Sequence, residues 1–320
     1  MFKISIQFNC DWLKKRKPNN QDENTLTGHL MSLASKTIKE LGGARSKSTV
    51  DNYLTAIRSF CRFAGTEVLV EQLDARLLER YQQWLIERHV AHNTISCYMR
   101  SLRSLLHLMS KDGRYQSLFD TTFTGKTKTD KRSITLEEII RIRDLTLPPD
   151  SSLAFYRDIF LFSFYALGMP FVDIAFLQKS QLGDGYIVYF RRKTSQRIRV
   201  KLEPPMQQII DNYSQPGSPY VFPILSARGR DRLMTEYESA LNQYNRVLKK
   251  IGSLAGLQHV LTSYVARHSW ASIAYNSNID LSVISKALGH TSPNTTLTYI
   301  REIDDNRIDQ ANYRLLAELK

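Results

Sequence analysis

Leu288-Gly289-His290-Thr291-Ser292-Pro293-Asn294-Thr295-Thr296-Leu297-Thr298-Tyr299 decides how this chain reads. A phenol follows an imidazole by nine residues, across a glycine break and a threonine-rich segment. The residues before it, Leu281–Leu288, have helical period, and a histidine just past a helix end often serves only as a partner of the helix dipole. Upstream, Arg267-His268-Ser269-Trp270 supplies a guanidinium whose planar fork matches two oxygens of a phosphate. A lone tyrosine on a helix packs against its neighbours. A tyrosine placed after this histidine, with an Arg-His pair upstream, calls for more than packing.

Further back lies Arg191-Arg192-Lys193-Thr194, on the turn between two strand-like runs, Tyr186–Phe190 and residues 197–202. Together they predict a β-hairpin. The rest is helical in pattern. Four periodic stretches fall within residues 26–120: residues 26–41; a helix capped by Ser48 with Val50, Leu54, Ile57, Cys61 and Ala64; one with Leu77, Leu78, Tyr81, Trp84 and Leu85; and one capped by Asn93 with Ile95, Met99, Leu102, Leu106 and Met109. This predicts a compact all-α domain. Residues 121–132, rich in Thr, Gly and Lys, read as a linker. A second domain begins at residue 133, where Thr135 and Glu138 form a capping box, and runs to residue 320. The expected fold is mainly α with one small β-element. Residues 1–25 read as a short basic segment around Lys14-Lys15-Arg16-Lys17.

At 320 residues the chain has room for two cores. Its net charge of +13 predicts attraction to a polyanion, most simply nucleic acid. The excess is spread: residues 1–130 carry 20 Lys and Arg against 13 Asp and Glu, and residues 131–320 carry 24 against 18. Three widely spaced cysteines, Cys10, Cys61 and Cys97, make neither a disulfide framework nor a metal box. The most apolar stretch, residues 159–177, is interrupted by Ser163, Gly168, Pro170 and Asp173, so it reads as helix, break and helix rather than a membrane span. With no secretory leader at the start, the expected location is the cytoplasm.

The Leu-Gly-His run with its later tyrosine, Arg267-His268-Ser269 and the hairpin lysine together resemble the tyrosine recombinases, the phage-integrase family, over about residues 26–310. The resemblance implies a helical, SAM-like core-binding domain and a catalytic domain closing on duplex DNA, with a homotetramer on two synapsed sites. It implies that Tyr299 attacks a backbone phosphate, giving a 3′-phosphotyrosyl bond and a free 5′-hydroxyl, and that the bond's energy is kept for rejoining. Arg267 and His290 would hold the phosphate, and Lys193 would act as general acid. Neither metal nor cofactor is implied, since Arg and Lys can supply the positive charge. His268, by the same resemblance, is structural.

The chain departs from the family in two places. Ala166-Leu167-Gly168-Met169-Pro170-Phe171-Val172-Asp173 lacks the arginine expected in the helix break, although Asp173 matches the acidic residue that follows it. Tyr264 stands where a histidine is usual; as a catalytic residue it can still donate a hydrogen bond but is a poor base near neutral pH. Both stretches resemble recombinases of the Bacteroides group. Arg191 or Arg192 would then supply the missing guanidinium, with Arg191 favoured because strand alternation puts it on the side of Lys193. Expected DNA contacts are Lys47, Arg58, Arg62, Thr94, Arg100 and Arg103 on two helices, with Lys126 and Lys128 in the linker. The outcome would be DNA inversion, or integration and excision of a mobile element. The short region before residue 26 tilts the reading toward a simple invertase or resolvase, and the apolar face of residues 306–320 packs either on a neighbouring subunit or back on its own domain. The alternatives are a DNA-binding relative without catalysis and a type IB topoisomerase-like enzyme.

Overall fold

A computed structural model describes residues 28–41, 43–110, 113, 115–127, 133–226, 232–290, 292–300, 313, 316 and 317. The basic segment 1–25, Lys128 and nearly all of residues 306–320 lie outside the described residues. The chain divides into two compact units, residues 1–129 and 130–320.

The first unit is built from α1 (Leu30–Glu40), α2 (Lys47–Ala64), α3 (Ala75–Glu87) and α4 (His92–Met109). Two expected caps move. α2 is capped by Ser46, whose extended backbone lets its hydroxyl accept from the Thr49 amide at 3.3 Å; Ser48 already sits in the first turn. α4 starts one residue before Asn93, and that side chain faces away from the helix end. It donates to the Thr127 carbonyl at 3.0 Å and accepts from the Thr127 amide at 2.9 Å. Ser96 donates to the Gly125 carbonyl at 2.6 Å, and Gln82 accepts from the Phe123 amide at 2.6 Å. Residues 123–127 are thus stitched to α3 and α4 instead of forming the free start of a linker. The core holds Ile57, Phe60, Leu78 and Tyr81, all but inaccessible to solvent, with Phe60 and Tyr81 edge to face at 5.1 Å.

In the second unit the capping box is present: Thr135 accepts from the Glu138 amide and Glu138 reaches back to the Thr135 amide at the start of α5 (Leu136–Arg143). α6 (Ser152–Tyr165) is apolar nearly all round, with Ile159, Phe160, Leu161 and Phe162 buried, and forms the centre of the unit. It stops at two consecutive left-handed residues, Leu167 (φ 59°) and Gly168 (φ 71°), before α7 (Phe171–Ala175). The hairpin is present as β2 (Tyr186–Phe190) and β3 (Arg197–Lys201), antiparallel, with Tyr186 opposite Lys201 and Phe190 opposite Arg197. A two-residue strand, β1 (Leu182–Gly183), extends the sheet to the order β1-β2-β3; two residues are too few to show period two. α8 (Pro204–Tyr213), α9 (Leu233–Leu254), α10 (Val265–Asn276), α11 (Leu281–Leu288) and α12 (Pro293–Leu297) complete the unit. α11 is capped by Asp280 and closed by left-handed Gly289 (φ 64°). Among the described residues no helix is long and apolar enough to cross a membrane.

One buried hydrogen bond sets α10 against the beginning of the unit: Ser269 accepts from the Ile134 amide at 2.9 Å. Ser269→Ala leaves that amide buried without a partner. Urea denaturation is expected to show a loss of about 1–3 kcal/mol, and Ser269→Thr, which keeps the acceptor, a smaller one.

Candidate active site

Four elements deliver the polar side chains of the second unit to one place. Arg267, in the first turn of α10, is 2 % exposed. Its guanidinium donates to the Gly168 carbonyl at 3.0 Å, to the Leu288 carbonyl at 2.6 Å and to His290 Nε2 at 3.0 Å. Gly168 makes this possible: a methyl group there would fall 2.9 Å from Arg267 Cα. The left-handed break after α6 therefore does more than turn the chain, because it lets the α10 backbone come close.

Arg191 reaches the same spot from the hairpin. It is buried, donates to the same Leu288 carbonyl, and its Nε lies 3.5 Å from Asp173 Oδ2. A methyl group at Gly289 would sit 2.9 Å from Arg191 Cδ and 2.8 Å from Ile198 Cδ1, so the glycine that ends α11 also makes room for this arginine. β2 ends at Phe190, so strand alternation does not reach Arg191; its place comes from packing under α11 and against Asp173. Arg192 takes another course. Its guanidinium stacks on Phe176, 3.8 Å from the ring centroid, and its amide donates to Asp173 Oδ1 at 3.0 Å. Pro170 fills the helix-break position and contributes no cation.

Arginine has no acceptor, so His290 Nε2 accepts from Arg267 and the ring proton sits on Nδ1, which donates to Thr296 Oγ1 at 2.9 Å. Desolvation, then the charges of Arg267, Arg191 and Lys193, lower its pKa to about 4. Burial and the neighbouring Arg191 also lower the pKa of Arg267. Burial raises that of Asp173, against the pull of the Arg192 amide and of Arg191 and Arg267. Two guanidiniums and one carboxylate leave the pocket one positive charge in excess, which a phosphodiester would neutralise.

The Tyr299 ring lies between two imidazoles, at 4.6 Å and 27° to His268 and 4.9 Å and 35° to His290, with Arg267 Cζ 5.4 Å from its centroid. Its backbone is held by the Thr296 carbonyl at 2.9 Å and by Ser272 at 3.3 Å. Tyr264 is half exposed, its ring 6.2 Å from His268. Lys193 is exposed on a turn closed by Arg191 N–H to Gln196 O at 2.8 Å and Ser195 N–H to Arg191 O at 2.7 Å. The structure thus gathers Tyr299, Arg267, His290 and Arg191, with Lys193 and Tyr264 at the margin.

Residues 133–306, more than half of the chain, match the model of the phage integrase family, and residues 29–117 match the phage integrase SAM-like domain. The chain belongs to the phage integrase family. It is 24% identical to the tyrosine recombinase XerC of Syntrophus aciditrophicus, over 79% of this chain and 87% of that one. Among solved structures it is similar to a lambda integrase dimer bound to a COC′ core site, with TM-score 0.65, 18% identity, and coverage of 87% of this chain and 80% of that chain. A lambda integrase tetramer bound to a Holliday junction is similar at TM-score 0.62 and 18% identity, over 88% and 80%. At these identities the structural likeness establishes the fold: helices with a small antiparallel sheet.

In this integrase-family chain the first unit carries the other expected contacts. Lys47, Arg58, Arg62, Arg100, Arg103 and Lys126 are exposed and Thr94 is half-buried. Arg100 folds back onto the Ser96 carbonyl at 3.3 Å, beside the stitched residues 123–127. Sequence reasoning passed over Thr296, buried and holding His290, and set His268 aside although its ring stacks on Tyr299. Histidine directly after Arg267 was the signal available for the second; nothing in the spacing marked the first.

The arrangement around His290 has a titration signature. Nitrogen NMR of the free protein should show a neutral imidazole, protonated on Nδ1, down to about pH 4, where an ordinary histidine titrates near 6.5. Because the folded value lies below the unfolded one, this group's contribution to stability is complete above pH 6.5 and is lost as the pH falls toward 4. Titration at the ordinary value would place the ring outside the guanidinium pair.

Proposed function

We propose that this tyrosine-type site-specific DNA recombinase cuts and rejoins duplex DNA with Tyr299 as nucleophile, Arg267 and Arg191 as the phosphate clamp, His290 as a third phosphate ligand and Lys193 as general acid. One observation carries the assignment: two buried guanidiniums meet at the Leu288 carbonyl beside His290, against the face of the Tyr299 ring. Arginines held by main-chain carbonyls keep their remaining N–H groups aimed where charge develops, so no reorganisation is needed during reaction. The Tyr299 phenol gives its proton to solvent as its oxygen bonds to phosphorus, while the bond to the 5′-oxygen breaks. The Lys193 ammonium, on an exposed turn, gives its proton to that leaving oxygen. The negative phosphate offsets the cations that depress His290, so the imidazole takes up a proton and donates from Nε2. Reversal of these steps by the 5′-hydroxyl of another strand rejoins the DNA without an energy source.

Arg191 gives the pocket a second cation, which removes the reason for reading the chain as a non-catalytic relative. We divide the chain at residues 26–120, 121–132 and 133–320, with the first part gripping DNA through its exposed Arg and Lys. Two duplexes each cut on both strands need four active sites, so a homotetramer on synapsed sites is proposed, as in the lambda integrase tetramer on a Holliday junction. Such exchange serves inversion of the DNA between two sites, or integration and excision of a mobile element. With DNA as substrate, the proposed location is the cytoplasm.

The nucleophile is tested with a randomised pool of nicked duplexes. Parent protein should trap DNA that survives a denaturing gel, and sequencing the trapped DNA gives the site. Tyr299→Phe should bind the selected duplex and trap none; an adduct from this variant assigns the nucleophile elsewhere.

The clamp is tested on the same duplex in single turnovers at saturating protein. Arg191→Ala is expected to lower the cleavage rate by about 10²-fold or more. Arg192→Ala, whose side chain rests on Phe176, should stay within a few-fold of the parent. Equal rates for the parent and Arg191→Ala refute the clamp.

A further inference from the structure

A groove of about 420 Å³ opens between β3 and α11, lined by Gln196, Arg197, Ile198, Ser282, Ser285, Lys286 and His290. It shares His290 with the active site, so it begins where the scissile phosphate would lie. Its two long cations come from opposite walls: Arg197 from the first position of β3 and Lys286 from the last turn of α11. Ser282, Ser285 and Lys286 fall at positions i, i+3 and i+4, so they share one helix face. Among the described residues no carboxylate lines the groove.

Apart from Lys193, the neighbouring cations of the hairpin are already engaged. Arg199 stacks on Tyr186, 3.3 Å from the ring centroid, and Lys201 pairs with Glu203 at 3.2 Å. Arg191 and Arg192 are committed to Leu288 and Phe176. Arg197 and Lys286 are both exposed, and neither makes an ion pair with a described residue. Two unneutralised cations facing each other across a polar groove repel, and an anion between them relieves that repulsion. The adjoining hydroxyls and the Gln196 amide can donate to its remaining oxygens.

We infer that this groove is a second phosphate subsite, holding a non-scissile backbone phosphate of the DNA strand next to the one that is cut, with Arg197 and Lys286 as its ligands. The inference rests on the recombinase reading of the neighbouring site. Its function is registration. A strand pinned at one phosphate can slide or pivot; pinned at two, it presents a single phosphate to Tyr299. The subsite acts on binding and on the choice of cleaved phosphate, and takes no part in bond making.

The test pairs protein variants with chemically altered DNA. Duplexes carrying the selected site receive one neutral methylphosphonate at each of the phosphates flanking the cut, one duplex per position. Parent, Arg197→Ala, Lys286→Ala and the double variant are compared for affinity and for adduct formation at saturating protein. On unmodified DNA the double variant should bind roughly tenfold more weakly, and its affinity should fall with salt less steeply, the slope shallower by about 1. At saturating protein its adducts at neighbouring phosphates should increase relative to those of the parent. At one methylphosphonate position the parent should weaken to the level of the double variant, and the double variant should lose nothing more.

Losses that simply add at every position overturn the inference. So does a weakening that no single neutralised phosphate reproduces, which would give the groove to an occupant other than DNA. The coupling is read in binding and is independent of Tyr299. A Tyr299→Phe variant that shows the coupling and still forms the adduct would fault the nucleophile and leave the subsite standing. A parent that forms the adduct without the coupling would do the opposite.

Discussion

Two guanidinium groups, those of Arg191 and Arg267, donate to one oxygen, the carbonyl of Leu288. Like charges at such close quarters would separate in water. Here they are held together because the acceptor lies at the C-terminal end of α11, where main-chain carbonyls have no helical partner and the helix dipole is negative. The left-handed turn at Gly289 ends the helix there, and Asp173 supplies a carboxylate behind Arg191. Remove the helix end and both arginines lose their common anchor.

The two glycines beside these arginines follow from the same constraint. A guanidinium buried against main chain needs the backbone to come closer than a Cβ allows, and the distances at Gly168 and Gly289 are below 3 Å in both cases. The charge balance is equally tight. The carboxylate of Asp173 offsets one of the two cations and leaves one positive charge in excess. This is also why His290 stays neutral: burial and the cations that share its pocket oppose a further positive charge.

Much of this was legible in the chain, and the parts that were not share a cause. Local chemistry read well: the Thr135–Glu138 capping box, the break after α6, the hairpin and the helix ending at Gly289 are each set by residues a few positions apart. Arg191 was singled out by an argument from strand alternation that fails, since β2 stops one residue earlier. Its real place depends on Leu288, 97 residues away, and no local period carries that information. The same holds for the caps at Ser48 and Asn93. Both residue types suit a cap, but Ser46 has the backbone for it, and Asn93 finds better partners in Thr127, 34 residues on. The stacking of His268 on Tyr299 likewise joins α10 to the turn after α12, which only the folded chain brings together.

Carrying an arginine on the hairpin instead of in the helix break changes how the site can be switched. Arg191 and Lys193 sit two residues apart on one turn, closed by main-chain hydrogen bonds from Arg191 to Gln196 and from Ser195 to Arg191. In the proposed mechanism, phosphate clamp and proton donor therefore form a single mechanical part, mounted on a sheet of three short strands. A displacement of that part withdraws both functions in one movement, so an intermediate state that grips the phosphate yet cannot expel the leaving group is hard to reach. In a multi-subunit assembly, where only some active sites should fire at a time, a subunit could be silenced by moving this one turn.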